Sequence, residues 1–218
     1  MSNIIECRVI RPKDRSSAVL AMVEILFDTG LRLVNMHLLR PRDDKKSNHL
    51  KMPSVTTNTG KFFTAYFPVT REIRQTMTQA AEATLAEAVE LDVNNHTKRF
   101  APLAEGEEYR MPVFSNLRLH RFPNNENPVR AIFSVTVDEE VTLNRIVIVK
   151  DPTNQMFAVR LPKFSMQGGR RHSRYFRLEA AAYDELYNLA MEAYFNPPEE
   201  EETATEETPA GDSEEQAS

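Results

Sequence analysis

The chain has 218 residues, a hydrophobic fraction of 41% and a formal net charge of −5 at pH 7, a length that suits one large domain or two small ones. Its single cysteine, Cys7, excludes an intrachain disulfide framework and fits a reducing compartment. No run of about 18 apolar residues occurs and the first residues, charged already at Glu6, lack the apolar run of a signal peptide, so a soluble, cytoplasmic protein with no membrane partner is expected.

The charge is unevenly spread. From Pro197 to Ser218 there are nine carboxylates and no aromatic, Lys or Arg, which reads as an acidic, disordered tail. Residues 1–196 hold all 27 Lys and Arg against 23 carboxylates, a net charge of +4. The folded part is mildly basic.

In chain order, an alternating segment around Val9 reads as a strand. Segments 18–27 and 31–40 alternate with period two on either side of Asp28-Thr29-Gly30, a β-hairpin pattern. A short strand at Leu50–Met52 precedes Pro53, a polar loop follows, and Phe62 and Phe63 open an aromatic strand. Ile73, Met77, Ala80, Ala81, Leu85 and Ala88 recur at helical spacing, with Thr70 placed to cap the helix. Residues 91–111, with Asn94-Asn95, Pro102 and an acidic run around Gly106, read as a semi-ordered linker.

The same order then returns. Val113, Leu117 and Leu119 alternate; 129–138 and 141–150 flank Asp138-Glu139-Glu140; and Met156–Leu161 precedes Pro162. Tyr175 and Phe176 begin another aromatic strand, and Ala182, Leu186, Leu189 and Ala193 mark a second helix. Sliding the chain by 110 positions sets Cys7–Arg11 on Leu117–Arg121 and Ala21–Asp28 on Ala131–Asp138. The apolar beat Leu31, Leu33, Met36, Leu38 falls on Val141, Leu143, Ile146, Ile148; after one deletion Met52-Pro53 meets Leu161-Pro162, and after a small insertion Phe63 meets Phe176. The expected fold class is therefore α+β: two copies of a small antiparallel β-sheet module, each followed by one C-terminal helix. Module 1 spans 1–90, the linker 91–111, module 2 112–196 and the tail 197–218. A module of about 85 residues with one helix buries a modest core, so the copies are expected to pack together as an intrachain pseudo-dimer.

These residues resemble the bacterial SpoVG family, the stage V sporulation protein G or septation regulators. Copy two carries the first half of that family's pattern in Leu117-Arg118-Leu119 and Arg130-Ala131-Ile132-Phe133-Ser134-Val135-Thr136-Val137-Asp138. Copy one carries the second half in Met52-Pro53-Ser54, Thr59-Gly60-Lys61-Phe62 and Phe67-Pro68-Val69-Thr70-Arg71-Glu72-Ile73. The resemblance implies a dimer built through its sheets and a role in gene regulation by DNA and RNA binding. Sporulation, septation and cell division enter only through the family's name.

The family places basic residues after its Met-Pro-Ser. Copy one departs, with Val55-Thr56 there; its nearest substitute is the stretch Arg40, Arg42, Lys45, Lys46, His49 and Lys51, diluted by Asp43 and Asp44. In copy two, Arg160, Lys163, Arg170, Arg171, Arg174 and Arg177 gather with His172 and no carboxylate. Such a loop offers donors to phosphate oxygens, Gly168-Gly169 frees the backbone, and Phe164, Tyr175 and Phe176 interleave with the charges, with Phe176 assigned to the core. Without the resemblance the same loop reads as a solvated hairpin tip. The leading expectation is a regulator that binds DNA or RNA; the alternative is a protein-interaction scaffold, and further self-association stays open.

Other chemistry is thin. Five histidines and one cysteine sit at no metal-ligand spacing. Asp138, Glu139 and Glu140 occupy a hairpin turn, where carboxylates are ordinary, and Ser54 lacks a nucleophile elbow. Nothing assembles an acid, a base and an oxyanion site. No catalytic residue, metal or cofactor is expected, and the chain is not read as an enzyme.

Overall fold

Both period-two segments pair as antiparallel hairpins. In the first half, β1 (Ile4–Ile10) lies beside β2 (Val19–Phe27), which turns into β3 (Arg32–Leu39). In the second, β9 (Phe114–Arg121), β10 (Val129–Val137) and β11 (Val141–Lys150) repeat that order. The short elements between are β4 (His49–Lys51), β5 (Ser54–Thr56), β6 (Phe62–Thr64), β7 (Tyr66–Pro68), α1 (Arg71–Glu90) and β8 (Asn95–Arg99). After β11 come β12 (Phe157–Arg160), β13 (Lys163–Ser165), β14 (His172–Arg174), β15 (Phe176–Arg177) and α2 (Ala180–Phe195). This computed structural model describes residues 2–41, 47–56, 62–104, 106–122, 128–165 and 172–196. The chain is an α+β fold with antiparallel sheets, as expected, and no helix among the described residues is long and apolar enough to cross a membrane.

The strands form two main sheets that exchange partners. The first runs β15-β3-β2-β1-β8, with β4 also on β3; the second runs β12-β11-β10-β9, with β7 also on β11. Thus β7, from the first half, pairs with β11, setting Tyr66 opposite Leu143 and Pro68 opposite Val141. In return β15, from the second half, pairs with β3, setting Phe176 opposite Leu33. Each helix then covers its own half: α1 packs on β1, and α2 on β9 and β12.

Backbone irregularities recur 110 positions apart. The β2–β3 ladder shifts register at Val19/Ala21 and Val23/Ile25, and the β10–β11 ladder at Val129/Ala131 and Phe133/Val135. Asn35 and Arg145 take left-handed φ values of 66° and 61° at those second bulges. The Val34 N–H donates to the Tyr175 carbonyl at 3.0 Å, and the Asn144 N–H to the Ala65 carbonyl at 2.8 Å. Ala65 N–H and Tyr175 N–H reach back to the Pro53 and Pro162 carbonyls at 3.0 and 3.2 Å. Tyr66 therefore occupies the place of Phe176. This corrects the alignment of Phe63 with Phe176, whose counterpart is Ser173. Burial decides between neighbouring aromatics: Tyr66 is fully enclosed whereas Phe62 is 76% exposed.

Tyr66 and Phe176 meet edge to face, their ring centroids 6.4 Å apart and their planes at 81°. The Tyr66 hydroxyl donates to the Val34 carbonyl at 2.6 Å. Residues of both halves, among them Val23, Met36, Phe133, Leu143 and Leu186, belong to one continuous buried cluster. Cys7 lies in it, and burial pushes its thiol up to about 12.

Helix α1 starts where Thr70 accepts a hydrogen bond from the Ile73 N–H at 3.3 Å, the expected cap. Its buried seam uses Thr84, whose hydroxyl is satisfied by the Ala80 carbonyl at 2.7 Å, while Leu85 is only half-buried. At the helix C-termini the carbonyls are met by arginines at the ends of β1 and β9. Arg11 donates to Ala88 and Val93 at 3.0 and 3.1 Å, and Arg121, 110 positions on, donates to Ala193 and Tyr194. Cations there complement the helix dipole.

The segment expected to be a linker is partly structured. Residues 95–99 form β8 on the free edge of β1, a polar edge strand with no apolar signal. Farther on, Arg110 forms a two-pronged pair with Asp138 at 3.2 and 3.0 Å and approaches Asp28 at 3.7 Å. Those aspartates begin the two hairpin turns. In the first turn only glycine fits at Gly30, with φ 72° and the Glu179 side chain packed where a Cβ would sit.

Phe176→Ala is expected to cost about 3–5 kcal/mol and to leave one urea transition; two separate transitions would contradict a shared core. Burial pushes the Asp138 carboxyl up, but Arg110, the Val113 N–H and the Ser2 hydroxyl together hold it below its ordinary value. A depressed carboxyl stabilises the fold above its unfolded pKa of about 3.9, and that contribution is lost as pH falls through the lower folded value. Arg110→Ala is therefore expected to lower the urea midpoint at neutral pH, and the gap from the parent should close near pH ~3.

Candidate nucleic-acid interface

The hairpin of β13 and β14 carries the residues singled out from the sequence. Its register sets Lys163 opposite Arg174, Phe164 opposite Ser173 and Ser165 opposite His172. Lys163 and Arg174 are both exposed. Like charges directly opposite are unfavourable by roughly 0.2–1 kcal/mol, and no carboxylate of the hairpin lies between them. The Phe164 ring packs on Tyr175 with centroids 4.9 Å apart, and Tyr175 is 6% exposed. These rings anchor the hairpin to the core rather than standing free among its cations. Phe176 is in the core, as expected. Arg170, Arg171 and Gly168-Gly169 lie outside the described residues, and for His172 the description is limited to its backbone.

The remaining predicted cations separate. Arg177 leaves the hairpin on β15, sits opposite Arg32 in the first sheet and donates to the Ser173 hydroxyl at 3.3 Å. Arg174 leans toward Tyr183, whose phenol burial pushes up and Arg174 pulls down, the net direction being up. Arg40 donates to the carbonyls of Ser17 and Arg15 at 3.1 and 2.6 Å, so it ties a loop. Lys51 is exposed on β4 opposite His37, whose imidazole burial and Lys51 both push down. Arg42, Lys45 and Lys46 lie outside the described residues.

Arg160 belongs to a different surface, the face of the second sheet turned away from α2. Cross-strand rows place His120, Ile132, Val147 and Arg160 side by side. The next row sets Arg118 opposite Ser134, and the bulge beyond Ser134 presents Asn144 and Arg145. A third row runs Ser115, Thr136, Thr142 and Phe67. Bulges re-aim side chains, and here Arg145 is laid over the Phe63 ring, its guanidinium carbon 4.1 Å from the centroid.

Two depressions indent this face and adjoin at Arg118. One, of about 320 Å³, is bordered by Phe63, Ile132 and Arg145; the other, of about 370 Å³, by Phe67, Asn116 and Thr142. Ser134 and Asn144 border both. Phe63 and Phe67 come from the first half, so the exchanged arm builds one wall. Sequence reasoning missed Arg118 and Arg145 as site residues. The only signal was that Arg118 falls on the polar beat of Leu117-Arg118-Leu119. No protein-family model matches the chain, and no curated protein or solved structure matches it either.

Proposed function

We propose that the chain is a non-enzymatic, nucleic-acid-binding regulator of the SpoVG type, two copies of one module packed as an intrachain pseudo-dimer. The duplication is supported by bulges, left-handed residues and inter-half hydrogen bonds that recur 110 positions apart. The pseudo-dimer is supported by the exchange of β7 and β15 and by the Tyr66–Phe176 contact, where equivalent positions touch each other.

One observation carries the binding assignment: Lys163 and Arg174 stand opposed on an exposed hairpin with no carboxylate of that hairpin between them. A phosphate bridging the two cations relieves their repulsion and accepts donors from both. Arg160, at the end of the preceding strand, places a further exposed cation on the second sheet rather than on the hairpin.

Binding of mixed-sequence DNA and RNA, read by anisotropy over a salt series, tests this. Each phosphate contact contributes a log–log salt slope of about −0.9 on duplex and about −0.7 on single strands. Lys163→Ala with Arg174→Ala is expected to flatten the duplex slope by about 1.8. An unchanged slope moves the contacts elsewhere. Absence of any binding tighter than about 10⁻⁴ M favours the scaffold reading instead.

A further inference from the structure

We propose that the open face of the second sheet is a trough for single-stranded nucleic acid, in which Arg118 holds a phosphodiester and the Phe67 ring stacks an unpaired base. This rests on the nucleic-acid reading above and names its substrate class.

The contrast between the two sheets carries the argument. On the first sheet Arg8 lies opposite Glu24 and pairs with it at 3.7 Å, and Arg32 is held by Glu6 at 3.2 Å. Both of these guanidiniums face a carboxylate. Counting on by 110, the second sheet keeps Arg118 for Arg8 but has Ser134 for Glu24, Asn116 for Glu6 and Thr142 for Arg32. Both carboxylates are replaced by neutral groups, and one of the two guanidiniums remains. Arg118 is exposed, and among the described residues it has no ion pair or hydrogen bond. Its neighbours Asn116, Ser134 and Asn144 carry neutral donors and acceptors. A planar guanidinium among such groups is suited to a phosphate, which it can meet with two parallel bonds.

The aromatic wall selects the form of the ligand. Phe67 is 38% exposed on β7 and borders the same depression as Arg118. Phe63 is already covered by Arg145, so Phe67 is the open one of these two arm phenylalanines. A ring stacks on a base only where the base is unpaired, whereas a duplex turns its base faces inward and shows only edges in its grooves. Depressions of about 320 and 370 Å³ are of the size that takes a small ligand rather than a helix. Strand geometry sets Phe67 about three strand spacings, or about 14 Å, from the Arg118 strand. Phosphate and base contacts thus come from nearby nucleotides of one strand.

Anisotropy with labelled single strands of about 12 nucleotides, as DNA and as RNA, and with the duplex of the same sequence, tests the proposal on the intact chain. The unaltered protein is expected to prefer the single strands. Arg118→Ala should weaken that binding about tenfold, and Phe67→Ala at least about fivefold, erasing the preference over duplex. Ser134→Glu, which restores the carboxylate of the first sheet beside Arg118, should weaken it about tenfold or more without lowering the melting temperature. Single-strand binding unaffected by Phe67→Ala and Ser134→Glu, or a duplex that competes equally, overturns this inference and leaves the hairpin reading standing. No binding of any nucleic acid by the unaltered chain overturns both.

Discussion

A β-sheet cannot leave the backbone groups of a hydrophobic edge unpaired beside a core without cost, and that constraint organises this molecule. The edges of β3 and β11 are each covered by two short strands in succession. One comes from the same half and the other from the opposite half. The arm that ends in β7 crosses to β11, and the arm that ends in β15 crosses to β3. Because Tyr66 and Phe176 are carried by these arms, the exchange also supplies two large aromatic side chains to the junction, and they bury against each other. Arg110 adds a polar tie, joining the turns at Asp28 and Asp138 from the connecting segment.

The exchange has a consequence for the surface. Each sheet keeps one face under its helix and one face open, and the open face is walled by the other half's arm. In a symmetric dimer of identical chains both open faces are alike. In a single chain they are free to differ, and they do: the first carries the pairs Arg8–Glu24 and Arg32–Glu6, the second Arg118 with Ser134 opposite it and, among the described residues, no ion pair. The arms differ in the same sense. The first half's arm presents Phe63 and Phe67 to the second sheet, whereas the matching positions facing the first sheet are Ser173 and Arg177. Under the proposed duplication, the proposed binding face on one sheet and a face with Arg8 and Arg32 paired to glutamates on the other is a division of labour that a fused pair permits.

Much of the local structure was legible in the residues. The two hairpins around Asp28 and Asp138, the Thr70 cap and the placing of Phe176 in the core follow from period, turn chemistry and capping. The strand exchange was not legible, because alternation fixes which face is buried but not which strand covers an edge. Strand β8 escaped notice because Asn95–Arg99 is polar throughout, as an edge strand can be. The proposed binding face was hidden for a related reason: Arg8 and Arg118 look equivalent in sequence, and only the cross-strand register reveals a glutamate beside one and a serine beside the other. The basic loop, legible as a cluster, is split by the fold, with Arg160 on the second sheet and Arg177 on the first.

Amide hydrogen exchange on the intact chain tests the central claim, that neither sheet is complete without the other half's strand. The Val34 and Asn144 N–H groups bond across the halves, to Tyr175 and Ala65. If the exchange of strands holds the fold together, these two amides open only with the whole molecule and match the slowest core amides of β2 and β10. Exchange of either at a much faster rate, while those core amides stay protected, would mean the arms detach from intact sheets and would contradict the account.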